Sequence, residues 1–257
     1  MTDVWSPSSY LKFEDHRTRP SIDLLARVVN ENPAHVTDLG CGPGNSTALL
    51  AARYGARVIT GMDSSPKMIE AARQRLPECM FHEADVSAWA PKAPQDVIFA
   101  NAVLQWLPDH QTLLPRLIGS LQAGGTLAVQ MPDNLDEPSH VSMRVAASDP
   151  RWSDRLAAAN SERTTILSAT EYWSILKSQA RQVDIWRTTY HHPLQGLDGI
   201  VEWFKSTGLL PYLSRLPNDD RLAYLERYEA LLKESYPVLP DGTVLLAFPR
   251  IFLVAVR

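Results

Sequence analysis

Val36-Thr37-Asp38-Leu39-Gly40-Cys41-Gly42-Pro43-Gly44-Asn45, with Ile59-Thr60-Gly61-Met62-Asp63 behind it, decides the fold of this chain. One short apolar strand ends in a glycine-rich turn, and a second ends in an acid. Glycine has no Cβ, so the turn can bend sharply and let a ligand approach the backbone. A helix starting near Asn45 points its free N–H groups at that ligand. Asp63 follows Gly44 by about 20 residues, the spacing of an acid that grips ribose hydroxyls. The pattern predicts a nucleoside cofactor on Asp38, Gly40, Gly42, Gly44, Asn45, Asp63 and Ser64.

Details of the turn select the nucleoside. A dinucleotide fingerprint needs a third glycine or alanine where this chain has Asn45. Asp38 sets a negative charge near the place a pyrophosphate would occupy. That charge suits a ligand with a cationic centre and an ammonium group, and S-adenosylmethionine has both. The stretch from Asp38 to Gly44 resembles the first motif of the class I methyltransferases more than an NAD site.

Composition agrees with a compact enzyme. The 257 residues are 45 % hydrophobic and 21 % charged, ordinary values for a globular chain with ample core material. A net charge of −4 without a basic run disfavours nucleic acid as a partner. The first residues lack the pattern of a signal peptide, and no apolar run reaches the ~18 residues of a membrane span. Two cysteines, Cys41 in the turn and Cys79 at a strand start, read as reduced thiols of a cytoplasmic protein. No obligatory protein partner is evident.

Apolar runs and helical patterns alternate along the first half. Strands are expected at Val36 to Leu39, Arg57 to Met62, Cys79 to Glu83, Asp96 to Ala100 and Thr126 to Met131. Between them lie helices at Ser46 to Tyr54, Pro66 to Leu76 and His110 to Leu121. Ser64-Ser65-Pro66 caps the second helix, and Gln122-Ala123-Gly124-Gly125 ends the third. Alternation of this kind implies a parallel sheet with crossover helices. Asp136 to Gln179 reads mostly helical, Val183 to Tyr190 as a strand, and Val201 to Tyr236 as helical again. Val244 to Val256 is a strand pair or one long bent strand, in which Pro249 needs an edge or a bulge.

Ligands of such a sheet sit at the carboxyl ends of its strands. Asp85 is placed to accept from an adenine amino group, with Val86 beside the ring and Met68 packed on it. Asn101 is placed beneath the methionine end.

At Tyr10 to Pro20, Asp38 to Leu50, Asn101 to His110, Gln130 to Asn134, Asp184 to Tyr190 and Leu246 to Arg250 the chain resembles the trans-aconitate 2-methyltransferase family. The likeness covers nearly the whole chain and is weakest from Ser148 to Ala169. It implies the α/β class I fold (Rossmann-like), with seven mostly parallel strands, helices on both faces and a helical cap near the C-terminus. The whole chain, 1–257, would form a single methyltransferase domain. Its parts would be an N-terminal helical lid (1–34), a cofactor-binding core (35–135) and the cap insertion (191–242). The cap's Ile200, Trp203, Phe204, Leu209 and Leu210 would keep water from the sulfonium.

The activity the resemblance implies is esterification of one carboxylate of trans-aconitate, leaving S-adenosylhomocysteine. A carboxylate with a pKa near ~4 is already ionised at neutral pH, so no general base is needed and none is evident. The substrate is a small polycarboxylate, and arginine's planar fork is its best partner. Arg187 and Arg250 lead the candidates, followed by Arg17. Tyr190, Gln105, Trp106, Asn134 and Tyr10 would supply walls and further hydrogen bonds. Arg19 would serve the cofactor's own carboxylate.

His82, His191 and His192 read as structural or exposed, because no further ligand joins them at metal spacing, and no metal is expected. His110 reads as part of a helix cap. Three other functions stay in view. A metal-assisted O-methyltransferase of another small metabolite would use Asp133-Asn134. A base-modifying enzyme would show Asn-Pro-Pro where this chain has Asn101-Ala102-Val103. A cofactor-binding regulator would have no use for the arginine and aromatic lining.

Overall fold

The computed structural model describes the backbone from Glu14 onward except 162–164, and side chains from Thr18 onward except 161–164. Tyr10 and the side chain of Arg17 therefore lie outside the described residues. Helix α1 (Glu14–Leu25) leads into β1 (Val36–Leu39), α2 (Asn45–Tyr54), β2 (Ile59–Asp63), α3 (Pro66–Arg75), β3 (Met80–Glu83) and β4 (Gln95–Asn101). Then follow α4 (His110–Gly119), β5 (Leu121–Pro132), α5 (Pro138–Ala147), α6 (Ser153–Ser161), α7 (Ala169–Lys177) and β6 (Gln182–Gln195). The last elements are α8 (Gly196–Lys205), α9 (Leu210–Leu213), α10 (Asn218–Ser235) and β7 (Thr243–Val256).

The seven strands form one sheet in the order β3-β2-β1-β4-β5-β7-β6. β1 to β5 pair in parallel. β1 is buried at all four positions, as expected of a strand covered by helices on both faces. β7 runs against β5: Gly124 N–H donates to the Arg257 carbonyl, while Asp133 N–H, far along the chain from it, donates to Pro249 (2.9 Å). β6 runs against β7 by the same test, from Arg181 N–H to Val256 and Gly196 N–H to Gly242. β7 is thus the one antiparallel strand of the sheet, held between β5 and β6, and β6 at the edge runs parallel to β1–β5.

Two compact units divide the chain. One comprises Arg17–Pro132, Ile166–Arg187 and Ile251–Arg257, and the other includes Asp133–Thr165 and Thr188–Arg250. The first has its core in Leu39, Met62, Ile98, Leu114, Leu117, Val129 and Leu253. The second is built on Trp152, Ile200, Trp203, Phe204, Tyr224, Tyr228 and Phe248. Ile200, Trp203, Phe204 and Leu209 are consumed by that core. Among the described residues no helix is long and apolar enough to cross a membrane.

Several local expectations change. Gly124 and Gly125 lie inside β5 and do not end α4, which stops at Gly119. Their backbone is claimed by the ladder to Arg257, and a Cβ on Gly125 would meet the Gln95 carbonyl at 2.8 Å. Pro249 lies in an interior strand of the sheet, not on an edge. The cap of α4 is Asp109, whose carboxylate accepts from Thr112 N–H at 3.2 Å. His110 is buried below it, while the burial of His192 agrees with its expected structural role. Ser65 caps α3, with Pro66 in the first turn.

Candidate functional site

The register brings three strand ends level. Leu39 pairs with Met62 on one side and Ala100 on the other. β1 and β4 are neighbours although β2 and β3 come between them in sequence, so the chain reverses its winding there. Such switch points open a crevice at the strands' carboxyl ends. Into it run the glycine turn after β1, Asp63 ending β2, and Asn101 ending β4.

Gly40, Gly42 and Gly44 all have positive φ, at 63°, 53° and 90°. Two of them matter for different reasons. A Cβ on Gly40 would collide with the Val103 side chain, whereas Gly42 faces open space within 4 Å. Gly40 lets the turn after β4 close onto the turn after β1, and Gly42 leaves backbone approachable. Gly40→Ala should therefore destabilise the fold by ~1–3 kcal/mol through overpacking and strain. Thermal unfolding checks this, and a second change, Val103→Ala, should recover part of the loss.

Asp63 ties the crevice together. One oxygen accepts the Gly42 N–H at 3.0 Å and the other the Ser65 N–H at 2.9 Å. Each carboxylate oxygen keeps a second lone pair that a ribose hydroxyl could fill. Asp38 is fully buried; its Oδ2 accepts from Ser46 Oγ at 2.7 Å and Thr47 Oγ1 at 2.6 Å. Its Oδ1 has no partner among the described residues, and neither has the buried Oδ1 of Asn101. Burial pushes the Asp38 carboxyl up to about 7, opposed by the two hydroxyls and assisted by the charge of Asp63. The Cys41 thiol is raised by burial and by the same two carboxylates, so it stays protonated.

The shift has a measurable sign. A cation bound beside Asp38 favours its ionised form, so cofactor affinity should rise with pH toward about 7 and level off above. The slope should be at most about tenfold per unit. In the free protein the same shift works against stability. Folded Asp38 holds its proton where the unfolded chain has lost it, so stability falls as pH climbs from the ordinary carboxylate range to about 7. Calorimetry between pH 5.5 and 7 should show the affinity slope, as an order-of-magnitude range, and Asp38→Asn should flatten it.

The remaining positions are less uniform. Asp85 is exposed, and its Oδ1 accepts from Ser87 N–H at 2.7 Å, while Val86 is buried. Met68 is half-buried on α3, and Ser64 and Arg19 are exposed. Asn45 accepts from Arg75 at 3.3 Å. Gln105 is buried and donates through Nε2 to the Ala102 carbonyl at 2.7 Å; its Oε1 has no partner among the described residues. Trp106 is 51 % exposed. Arg187 is exposed as well, next to Trp186, which stacks on Phe252 at 4.6 Å.

Within the second unit, Arg250 is only 5 % exposed and lies over the Phe248 ring at 4.7 Å. Phe248 meets His192 edge-on, and His192 stacks between Trp203 at 4.5 Å and Tyr190 at 6.4 Å. Asn134 is buried there, its Oδ1 without a partner among the described residues. Arg250 and Tyr190 thus share one aromatic cluster. Reading the residues alone missed the contacts of Ser46, Thr47 and Val103 with the turn; the paired hydroxyls after Asn45 were the one visible signal. Among the described residues no group of three or more His, Cys, Asp or Glu could hold a metal ion.

Comparison with known proteins adds the family. Residues 36–125 match the family described as Methyltransferase domain. A protein of Methylobacterium nodulans named trans-aconitate 2-methyltransferase is 57 % identical over 253 residues, covering 98 % of this chain and 98 % of that protein. A Yersinia pestis protein of the same name is 49 % identical over 251 residues, covering 98 % and 97 %. The solved structure of Haemonchus contortus phosphoethanolamine N-methyltransferase 2 with S-adenosyl-L-methionine shares the fold. Its TM-score is 0.55 at 14 % identity, over 92 % of this chain and 52 % of that one. This chain belongs to the trans-aconitate 2-methyltransferase family, on the class I methyltransferase fold.

Proposed function

We propose that this chain transfers a methyl group from S-adenosylmethionine to a carboxylate oxygen of trans-aconitate, giving a monomethyl ester and S-adenosylhomocysteine. One observation carries the substrate: identity of 57 % and 49 % to proteins of that name extends over 98 % of the chain, so it spans both units. A cytoplasmic location goes with this reading, as do the two free cysteines.

The residues fit the cofactor. Buried acceptors at Asp38 and Asn101 suit an amino-acid end bearing an ammonium, and Asp63 offers one lone pair from each oxygen to a ribose. Glycine backbone lies open at Gly42. Gly44, Asn45 and Ser64 would frame the site, Met68, Asp85 and Val86 would face the adenine, and Arg19 the carboxylate. Bound there, the cofactor supplies a methyl carbon on a positively charged sulfur.

The chain's own task is binding and alignment. The substrate oxygen is already an anion at neutral pH, so no residue has to remove a proton. Its lone pair forms the O–CH3 bond while the C–S bond breaks and that electron pair stays on sulfur. No proton moves, and the two charges cancel. Holding the reactants in line can contribute ~7–11 kcal/mol. Arg250, Arg187 and Arg17 would supply the counter-charges, and Tyr190, Gln105, Trp106, Asn134 and Tyr10 the walls.

Labelled cofactor offered with a panel of small acids, with and without excess EDTA, tests this reading. Transfer should be fastest to trans-aconitate and indifferent to EDTA. Preference for a fatty acid or a phenol would overturn the substrate, and loss of activity in EDTA would overturn the metal-free chemistry.

A further inference from the structure

Gln105 and Trp106 sit on a short 3-10 turn, Leu104–Trp106, directly after β4. His110 reaches it from the start of α4. Its Nε2 lies 2.8 Å from the Leu104 carbonyl and its Nδ1 2.7 Å from the Tyr172 hydroxyl. A carbonyl oxygen only accepts, so Nε2 carries the proton. In the Nε2–H tautomer Nδ1 accepts, and Tyr172 O–H donates to it. The Tyr172 oxygen in turn accepts the Leu167 N–H at 3.3 Å. Every role in this chain of bonds is filled, and both side chains are buried.

The turn is held from within as well. The Leu104 carbonyl also accepts Leu107 N–H at 2.9 Å, so both of its lone pairs are used. Gln105 Nε2 donates to the Ala102 carbonyl, which fixes the amide and leaves a second N–H for a ligand. Ala102 itself stands at φ 56°, a costly conformation for a residue with a Cβ. Strain of that kind persists only where the surroundings over-determine it, and it collects at ligand sites.

We propose that His110 is a positioning residue for acceptor recognition. Through the Leu104 carbonyl it fixes the turn that presents Gln105 and Trp106 to the acid, and Tyr172 fixes its tautomer. The inference rests on reading Gln105 and Trp106 as substrate residues.

Kinetics with trans-aconitate at saturating cofactor, with cofactor Kd measured alongside, test it. His110→Phe should raise KM about tenfold or more while cofactor Kd stays within about twofold. His110→Gln can still donate to Leu104, and KM should return to within about threefold of the parent. Equal losses in KM and cofactor Kd, or no rescue by glutamine, would overturn the proposal. Trp106→Ala and Gln105→Ala separate the two claims. If neither raises KM, the substrate reading fails and the proposal with it. If they do and a folded His110→Phe does not, the proposal alone fails. Should His110→Phe not fold, Tyr172→Phe removes only the hydroxyl; a rise of about two- to fivefold in KM is expected, and an unchanged KM contradicts the proposal.

Discussion

Arg250→Leu is expected to raise KM for trans-aconitate by several hundred-fold while leaving cofactor affinity nearly unchanged. A polycarboxylate leaving water needs buried counter-charge, and breaking a buried charge pair from one side costs ~3–5 kcal/mol. Among the described residues Arg250 is the buried arginine: it is 5 % exposed and lies over the Phe248 ring. Net charge is −4, so attraction must come from local cations and not from a global field. Lysine at the same place should rescue only partly, for want of the two-pronged contact. Arg187 is exposed, and screening by solvent reduces its expected share to ~1 kcal/mol, less than about tenfold. Wild-type kinetics in a folded Arg250→Leu protein would remove the proposed grip and bring Arg187 or Arg17 forward.

Asp63→Ala should weaken cofactor binding by ~3 kcal/mol or more, on the order of a hundredfold. Two charge-assisted bonds to a ribose would be lost, at ~1.5–3 kcal/mol each. The same change releases the Gly42 and Ser65 N–H groups that the carboxylate now holds. Asp63→Asn keeps the shape and one acceptor, so its loss should be intermediate. Unchanged affinity by calorimetry in the folded alanine variant would refute the assignment.

The parallel half of the fold was legible because its strands are continuous apolar runs bounded by turn residues. β1 matches its expected span, β2 and β4 differ from theirs by a residue or two at each end, and β3 by one residue at its start. Gly124-Gly125 misled because paired glycines after a helix look like a stop signal, and only the distant Arg257 shows that they belong to a ladder. β6 was read too short, since its burial alternates beyond Tyr190 through His192 and Leu194 and mimics a polar connection. Exposure of the arginines was not legible. Successive side chains of a strand face opposite ways, so Trp186 stacking on Phe252 turns Arg187 outward. The acid at the end of β2 was found by spacing, whereas the hydroxyls on Asp38 were not, because helix α2 has to fold back before Ser46 and Thr47 reach it.

Mass spectrometry of the product formed from trans-aconitate and deuteriomethyl-labelled cofactor tests the central claim most directly. The account predicts one labelled methyl on the acid, released by mild alkali to regenerate trans-aconitate, as an ester must be. Label on an alkali-stable carbon or ether position, or no label on the acid at all, would contradict it.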